Sequence, residues 1–246
     1  MDITIALAAS RLMAQQRALD VTANNIANAN TPGYRAERMQ FADFISQQDG
    51  TAAPSGGRSI TYTQDRATWR EQQPGTLTHT ANTFDLALAG DGYFTVSTKA
   101  GPRLTRDGRF GLMPDGTLAD SKGDAALDTA GKPVQLSPAD TQISIAGDGS
   151  ISSENGQLGK IGVVQPTDPM KMTAEGATNF VSGSPTQPVA VPGVVQGAIE
   201  DSNVQPVLET TRMMDNLRQF QLVTQLVQAE GDRQQNAIDK LLPQGQ

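Results

Sequence analysis

Apolar residues recur at every seventh position near the start of the chain: Ile5, Leu12, Leu19 and Ile26. Residues seven apart lie on one face of a helix, so the spacing predicts a helix over Asp2–Ala29 with an apolar seam. At ~1.5 Å per residue this helix would be about 40 Å long. Its apolar stripe must be buried, either against another helix of the chain or against another copy.

Asparagines crowd the end of this predicted helix, at Asn24, Asn25 and Asn28. Asparagine is a poor helix former because its amide competes for nearby backbone groups, so the cluster needs its own explanation. Amides both donate and accept hydrogen bonds, and we expect these to bond neighbouring backbones and to fix register at a crowded junction. Pro32 then restricts Thr31 to extended geometry, and the helix must stop there.

A second apolar repeat, with spacings of four and three, occupies the end of the chain: Met213, Leu217, Phe220, Val227, Ile238 and Leu241. It predicts a helix over Val204–Leu242, roughly 55–60 Å long. Small or polar residues such as Thr224 and Gly231 interrupt this stripe, and they suit helices that approach closely. We predict that the two apolar seams and the asparagine cluster together form a subunit interface.

Between the helices the pattern changes to short alternating runs, such as "DGYFTV" and "QISIAGDGSIS", which are typical of strands. Most of the 24 glycines and 14 prolines lie in this zone, and Asp-Gly, a strong hairpin signal, recurs within it. Two occurrences stand between alternating runs and predict tight hairpins, one in "LTRDGRF" and one in "SIAGDGSI".

These patterns predict the α+β class and divide the chain into four segments. Residues 1–35 carry the N-terminal helix, and residues 198–246 carry the C-terminal helix. Residues 76–197 form a β-rich central domain. The stretch 36–75 is predicted to be a linker, with one strand near Ser59–Thr63.

Composition narrows the function classes. The chain has 246 residues, a formal net charge of −7 and no cysteine. Dispersed basic residues in an acidic chain disfavour nucleic acid, and the lack of cysteine excludes disulfides and thiolate metal sites. No apolar run approaches the ~18 residues that a membrane span needs. Asp2 and Arg11 argue against a secretory signal peptide, so composition alone predicts a cytosolic protein.

Residues suited to catalysis are sparse. The single histidine, His79, stands in the polar stretch "GTLTHTANT", where a surface or turn position is far commoner than a catalytic one. No "G-x-S-x-G" motif is present, and the Gly-Lys pairs at 131 and 159 lack the spacing of a phosphate-binding loop. The aspartates fit turns and match no EF-hand calcium loop. We expect no enzyme activity, no cofactor and no metal.

Four blocks of sequence, in this order, resemble the bacterial flagellar axial proteins, the family of rod, hook and hook-associated subunits: "ALDVTANNIANANTPGYR", "ANTFDLALAGDGYFTV", "LTRDGRFGLMPDGTL" and "VVQGAIEDSNVQPVLETTRMMDNLRQF". They span nearly the whole chain, and four blocks in order are more specific than any one. The chain resembles the proximal-rod members most, because its 46–75 region is short and unlike the segment added in the distal-rod protein.

The resemblance implies a structural subunit. The terminal helices would pair as a coiled-coil-like inner domain, with the β-rich domain outside, and copies would pack helically into a tube that transmits torque and passes later subunits. The implied partners are other rod proteins, further copies of the chain and the flagellar type III export apparatus, with neither nucleic acid nor membrane insertion. The implied location is the basal-body rod across the periplasm, reached by export without a cleaved signal peptide.

Alternatives stay open on the sequence. One is a distal-rod or hook-type member of the same family. Another is a secreted β-rich binding module whose helices form an oligomerisation stalk, and a third is an enzyme that uses scattered carboxylates. For the axial subunit we expect protease-sensitive ends in the isolated chain and a resistant core from roughly 75 to 197.

Overall fold

The structure is a computed structural model, and it describes residues 2–47, 59–137, 140 and 142–241. Within these residues the chain has an α-helix at each end and a β-rich region between them, which confirms the α+β class. The chain divides into two compact units. The first unit joins the helices to a β-hairpin, and the second holds the remaining strands.

The first unit contains four elements: α1 (Asp2–Ala27), β1 (Glu37–Gln47), β2 (Ser59–Arg70) and α2 (Pro206–Leu241). Both helices end within two residues of the limits predicted from the apolar repeats, a difference no larger than the ordinary uncertainty of helix ends. Pro206 opens α2, where its missing N–H leaves no helical hydrogen bond unmade.

The hairpin of the first unit occupies much of the stretch for which the sequence predicted a linker. β1 and β2 pair antiparallel, from Glu37 opposite Arg70 to Gln47 opposite Ser59. The register shifts between Gln40 and Phe41, which marks a β-bulge. Gln40 pairs with Ala67 and Phe41 with Asp65, so the extra residue of the bulge is Arg66 in β2. The strand predicted near Ser59–Thr63 lies within β2, whereas β1 was not predicted.

The second unit consists of short strands and one turn of 3₁₀-helix at Pro169–Lys171. The strands are β3 (Leu77–His79), β4 (Leu86–Leu88), β5 (Tyr93–Thr98), β6 (Gly101–Thr105), β7 (Phe110–Leu112), β8 (Leu118–Asp120), β9 (Ala125–Ala126), β10 (Ile143–Ile145), β11 (Ser150–Ser153), β12 (Gly156–Lys160), β13 (Val163–Pro166), β14 (Thr173–Glu175), β15 (Asn179–Val181), β16 (Thr186–Pro188), β17 (Val194–Gln196) and β18 (Ala198–Glu200).

Its largest sheet has the strand order β14-β15-β6-β5-β9-β8-β7, and β13 joins it by pairing with β5 and with β16. Three smaller sheets accompany it: β10-β11-β12, β17-β4 and β18-β3. The pairings are antiparallel, which suits strands joined by short turns.

Large apolar side chains fill the core of the second unit. The rings of Phe94 and Phe110 meet edge to face, with 5.4 Å between their centroids. Leu86, Leu118 and Ile151 pack in the same cluster, and none of the three exposes any surface. Burial of each such side chain contributes about 1.5–3 kcal/mol, so this unit has a substantial core of its own.

The two sharp Asp-Gly predictions have opposite outcomes. Asp148-Gly149 joins β10 to β11, which pair antiparallel, so that hairpin is confirmed. The hairpin predicted at Asp107-Gly108 is wrong, because β6 pairs with β5 and β15 whereas β7 pairs with β8. Gly108 is needed there for close approach: a Cβ on it would lie 1.6 Å from the carbonyl oxygen of Leu86.

Candidate assembly site

The helices of the first unit contact each other in antiparallel directions. Nε2 of Gln15, halfway along α1, donates to Oε1 of Gln219 over 3.4 Å. Asn25, near the end of α1, lines the same cleft as Glu209 in the first turn of α2. As residue numbers rise along α1 they therefore fall along the facing part of α2.

The predicted seam of α1 is only partly covered within this unit. Leu12, Leu19 and Ile26 are half-buried, and the side chain of Ile5 lies outside the part that the structure describes. The fully buried positions among the described side chains of α1 are instead small or polar: Ala14, Gln15, Thr22 and Asn25. The apolar repeat therefore located the helix, but apolar burial does not dominate its contacts.

On α2 the half-buried positions follow the predicted spacing with one correction. Met213, Phe220 and Val227 are half-buried, as expected for a seam. Leu217 is 40 % exposed, and the neighbouring Asn216 takes the seam position instead. Consecutive residues point about 100° apart on a helix, so only one of this pair can face α1. The side chains of Ile238 and Leu241 lie outside the described part.

The outward side of α2 carries large apolar residues that nothing in the described chain covers. Leu222 is 65 % exposed and Leu226 is 66 % exposed, and Val207 and Met214 are also exposed. No charged residue occurs from Gln219 to Ala229. A helix that is apolar on two sides is one that more than one neighbour buries.

Asn25 explains part of the asparagine cluster. Its side chain is completely buried, its Oδ1 accepts from the backbone N–H of Glu37 over 2.8 Å, and its Nδ2 donates to the carbonyl of Glu37 over 2.9 Å. The amide thus pairs with the first residue of β1 as a neighbouring strand would. This matches the expectation that the amides bond neighbouring backbones, and it fixes where β1 starts relative to α1.

The other two asparagines play different parts. Asn28, which belongs to the second unit, accepts from Thr31 twice: its carbonyl from the backbone N–H over 3.1 Å and its Oδ1 from the hydroxyl over 3.2 Å. These bonds close the turn that follows α1. Asn24 is exposed on α1.

A buried carboxylate near the start of α2 was not predicted from the sequence. Glu209 is only 1 % exposed, and its Oε1 accepts from Arg38 over 2.7 Å and from Arg212 over 2.6 Å. The two guanidinium groups offset the cost of burying its charge. Arg212 follows Glu209 by three residues, a pairing that helical spacing could have suggested, but Arg38 on β1 could not have been found in this way.

These residues border a cleft of about 340 Å³ within the first unit. Elements α1, β1 and α2 all contribute to its walls, with Thr22, Met39 and Asp215 among the lining residues. Charged and polar groups of both signs line the cleft, and this composition suits a polar contact better than an apolar ligand.

The segment that follows α1 is buried in the second unit. Tyr34, Arg35 and Ala36 are almost fully covered. Gly33 has φ +68°, and a Cβ on it would lie 2.3 Å from the backbone carbon of Arg106. Only glycine satisfies both conditions, which is the physical reason for Gly33 in the stretch "NTPGYR".

A carboxylate shared by two arginines holds this segment in place. Glu200 is 1 % exposed; its Oε1 binds Nη2 of Arg35 over 2.8 Å and its Oε2 binds Nη1 of Arg106 over 2.9 Å. Oε1 also accepts from the backbone N–H of Gly75, and the Glu200 carbonyl accepts from the N–H of Gly33. Glu200 therefore joins the segments near residues 33, 75 and 200, which lead in sequence to the elements of the first unit.

The surroundings of this cluster shift two titrations. Burial lowers the pKa of the Arg35 guanidinium, and the charge of Glu200 opposes that effect. Burial also raises the pKa of the Tyr93 hydroxyl, whose ring lies 5.2 Å from the Arg106 guanidinium carbon. We call Arg35, Arg106 and Glu200 the junction triad. No local sequence pattern predicted this triad, because its members are far apart along the chain.

The described residues contain no candidate metal site. No group of three or more histidine, aspartate or glutamate side chains there could hold an ion. His79 is exposed on the short edge strand β3. Among the described residues neither helix is long and apolar enough to cross a membrane. The features that stand out are therefore helix faces and buried ionic clusters.

Three family models match successive parts of the chain. They are the flagella basal body rod protein at residues 5–35, the flagellar hook protein FlgE/F/G D1 domain at 87–153, and the flagellar basal body rod FlgEFG protein C-terminal region at 195–240. The first match covers α1 and the buried segment after it, and the last covers Glu200 and most of α2.

Similar proteins match over almost their whole length. A flagellar basal-body rod protein FlgF from Mesorhizobium japonicum is 34% identical over 98% of both chains. The FlgF of Caulobacter vibrioides is 32% identical, also over 98% of both chains. The FlgF of Rhizobium meliloti is 31% identical over 96% of both chains.

Proposed function

The chain belongs to the family of flagellar basal-body rod proteins, and from this premise we propose that it is a structural subunit of the proximal rod that polymerises through its terminal helices. The family is structural, and the chain is not an enzyme. The observation that carries the proposal is the near full-length similarity to proteins named FlgF, in which both helices and the β region take part.

The two units have separate tasks in this proposal. The terminal helices pair as a coiled-coil-like inner domain, and their seams contribute to the subunit interface together with the asparagine cluster. The β-rich second unit forms the outer domain. Copies pack helically, with each other and with other rod proteins, into a tube that transmits torque and through which later subunits pass.

The state of the helix faces supports polymerisation. Leu12 and Leu19 stay half-exposed within the unit, and Leu222 and Leu226 are largely exposed. Ordering each residue of a helix costs on the order of 1–2 kcal/mol in backbone entropy. Burial of these faces against several neighbours would offset that cost in a way that a solitary pair of helices would not.

The same proposal places the protein in the rod across the periplasm and names the flagellar type III export apparatus as its route. A chain without cysteine needs no disulfide after export, which agrees with this route.

A motility complementation experiment tests the proposal. Leu19→Asp or Ile26→Asp would be introduced into the full chain and expressed in cells that lack their own copy. Each places a charge in the α1 seam, so we expect loss of swimming and of rod assembly while the β-rich unit of the purified full chain keeps its fold. Leu158→Asp, at a partly exposed position on β12, is the matched control and should leave swimming intact. Normal swimming with Leu19→Asp and with Ile26→Asp would contradict the role of the helices.

A further inference from the structure

A segment without helix or strand, Asn28–Ala36, belongs to the second unit, although the elements on both sides of it, α1 and β1, belong to the first. We call this segment the strap. No strand pairing holds the strap, because the described strands of the second unit begin at Leu77. Its place in the second unit therefore depends on individual bonds made by its side chains and its backbone.

Bonds to the segment around Glu200 fix the middle and the end of the strap. The N–H of Gly33 donates to the carbonyl of Glu200 over 2.8 Å, and the Glu200 carboxylate binds Arg35. At the end of the strap, the N–H of Ala36 donates to Oδ1 of Asn203 over 2.7 Å. Hydrogen bonds are directional, so these contacts together allow one position of the strap on the second unit.

The strap also holds the segment that follows β2. The N–H of Glu71 donates to the carbonyl of Ala36 over 2.9 Å. Nδ2 of Asn203 donates to the carbonyl of Gln73 in the same segment, also over 2.9 Å. The side chain of Asn203 therefore joins the strap to the segment after β2, with one amide atom on each.

All four chain connections between the two units leave the second unit from these bonded segments. They lie at residues 27–28, 36–37, 70–71 and 204–205. Two of them flank the strap, one immediately precedes the segment after β2, and one closely follows Asn203. The bonds of the strap therefore set the distance between the chain connection that leads to α1 and the one that leads to α2.

We infer that the strap is a latch: closed on Asn203 and on the Glu200 carboxylate, it brings the two terminal helices of the same chain together. When the strap opens, a longer and more flexible connection joins the helices. A shorter and stiffer connection raises the effective concentration of one helix at the other without any new contact between them. Residues of the second unit thereby favour helix pairing in the first. This inference concerns a single chain and goes beyond the proposed polymerisation.

The bonds of the strap are mainly polar, which suits a latch better than a part of the core. Tyr34 and Ala36 join a small apolar cluster, and that cluster is separate from the main one around Phe94. Single hydrogen bonds add little net stability, whereas a set of them selects one arrangement. Loss of one strap bond should therefore open the strap while the main core of the second unit stays folded.

Disulfide formation within one chain tests the latch, because the chain has no cysteine of its own. Gln15→Cys and Gln219→Cys together place thiols where the two amides bond across the helices. In the dilute full-length protein under mild oxidation, the rate of the intramolecular disulfide reports how often the helices meet. The measurement does not require rods, so its outcome is independent of the proposed function.

Two variants added to this cysteine pair open the strap in different ways. Asn203→Ala removes the side chain that joins the strap to the segment after β2. Gly33→Ala removes no polar group but places a Cβ 2.3 Å from the backbone of Arg106, so the strap must move away. Each variant should slow the disulfide at least fivefold. Hydrogen exchange in β5, at the centre of the largest sheet, should stay as slow as in the parent pair.

Thr78→Ala is the matched control. The Thr78 hydroxyl donates to Oδ2 of Asp201 over 2.6 Å, so this bond lies beside the latch without involving the strap. Its loss should leave the disulfide rate within twofold of the parent pair.

Every other result would overturn the latch. A smaller effect of either Asn203→Ala or Gly33→Ala would mean that the strap does not control how often the helices meet. Equal slowing by Thr78→Ala would mean that any lost bond nearby has the same effect. Fast exchange in β5 of either strap variant would make the strap an integral part of the core, and it would then not be a latch upon it.

Discussion

The two units of the molecule differ in how many large apolar side chains they bury. In the second unit Leu86, Phe94, Leu118 and Ile151 are fully buried and pack in one apolar cluster, and the junction triad is buried in the same unit. In the first unit the most buried of the described side chains are Ala14, Gln15, Thr22, Asn25 and Glu209. Both units therefore bury polar groups, but only the second adds a large apolar core, and the first leaves leucines exposed.

One chain thus combines a unit with a large apolar core and a unit without one. Apolar burial is non-directional and needs no particular partner, so the second unit can hold together alone. Buried polar groups are directional, and they fix a unique arrangement at a small net gain in stability. The first unit thus has a defined geometry but few large buried apolar side chains, and it leaves Leu222 and Leu226 exposed, as the proposed polymerisation requires.

The largest change in the free energy of unfolding is expected at the junction triad. Glu200→Gln removes the charge that Arg35 and Arg106 share and leaves two guanidinium groups buried without it. Breaking a buried ion pair in this way costs about 3–5 kcal/mol. In a Tyr62→Phe background, which removes the tyrosine of the first unit, we expect urea unfolding followed by the near-ultraviolet signal of the buried Tyr34 and Tyr93 to give a free energy of unfolding lowered by that amount.

The matched control is the other buried carboxylate. Glu209→Gln makes the same chemical change in the first unit, whose β2 strand carries Trp69, the single tryptophan of the chain. Its effect should show in tryptophan fluorescence and leave the tyrosine transition in place. Equal shifts of both signals in both variants would mean that the units unfold as one, and the comparison would fail.

The apolar repeats in the sequence predicted both helices of the first unit. The seven-residue spacing of α1 and the four-three spacing of α2 located both helices, because a helix face leaves a period that is visible in the sequence. The residues that face α1 were harder to predict. Asn216 is half-buried on α2 where Leu217 was expected, because the position of a residue around the helix, and not its hydrophobicity alone, decides whether it faces the partner helix. Of the hairpin after α1, the sequence predicted only a strand near Ser59–Thr63, which lies within β2, because the apolar residues of β1 do not alternate regularly with polar ones.

Contacts between distant residues were beyond reach. Asn25 stood out as an amide in a helix, and its bonds to backbone fulfilled that expectation, but its partner Glu37 was not identifiable. Nothing in the sequence links Glu200 to Arg106, because ion pairs formed by a fold leave no local pattern. At Asp107-Gly108 a local sequence pattern was misleading. The pattern predicted a hairpin, but the glycine is needed there because the backbone of Leu86 lies close to it.

An intermediate effect is expected at the amide that pairs with β1. Asn25→Ala removes two hydrogen bonds of a fully buried amide to the backbone of the half-buried Glu37, and their loss costs about 1–3 kcal/mol. The free energy of unfolding that Trp69 fluorescence reports in urea should fall by this amount. The control Gln16→Ala, at an exposed position of the same helix, should change that free energy by less than about 0.5 kcal/mol. If Asn25→Ala shifted the tyrosine signal and left the tryptophan signal unchanged, Asn25 would stabilise the second unit, which would contradict its placement in the first.

The smallest effect concerns pH and compares two aspartates of the second unit. Burial raises the pKa of Asp107, so its carboxyl holds a proton more tightly in the folded state than in the unfolded one. Its favourable contribution is complete below the unfolded value of about 3.9 and is lost as pH rises through the folded pKa. Asp107→Asn keeps the acceptor for the N–H of Arg109 and removes this loss, so its advantage over the wild type should grow with pH above about 4.

Asp148 provides the opposite sign within the same unit. The backbone N–H of Ser150 donates to its carboxylate and lowers the pKa of Asp148, so its contribution is present above about 3.9 and is lost as pH falls through the folded pKa. Asp148→Asn should therefore trail the wild type at neutral pH and converge with it in acid. Urea midpoints between pH 3 and 7 would reveal the two trends, and parallel curves for both variants would mean that burial does not distinguish the two carboxyls. Opposite pH trends for the two variants would show that two aspartates in the same Asp-Gly dipeptide differ in pKa because the fold buries one of them and exposes the other.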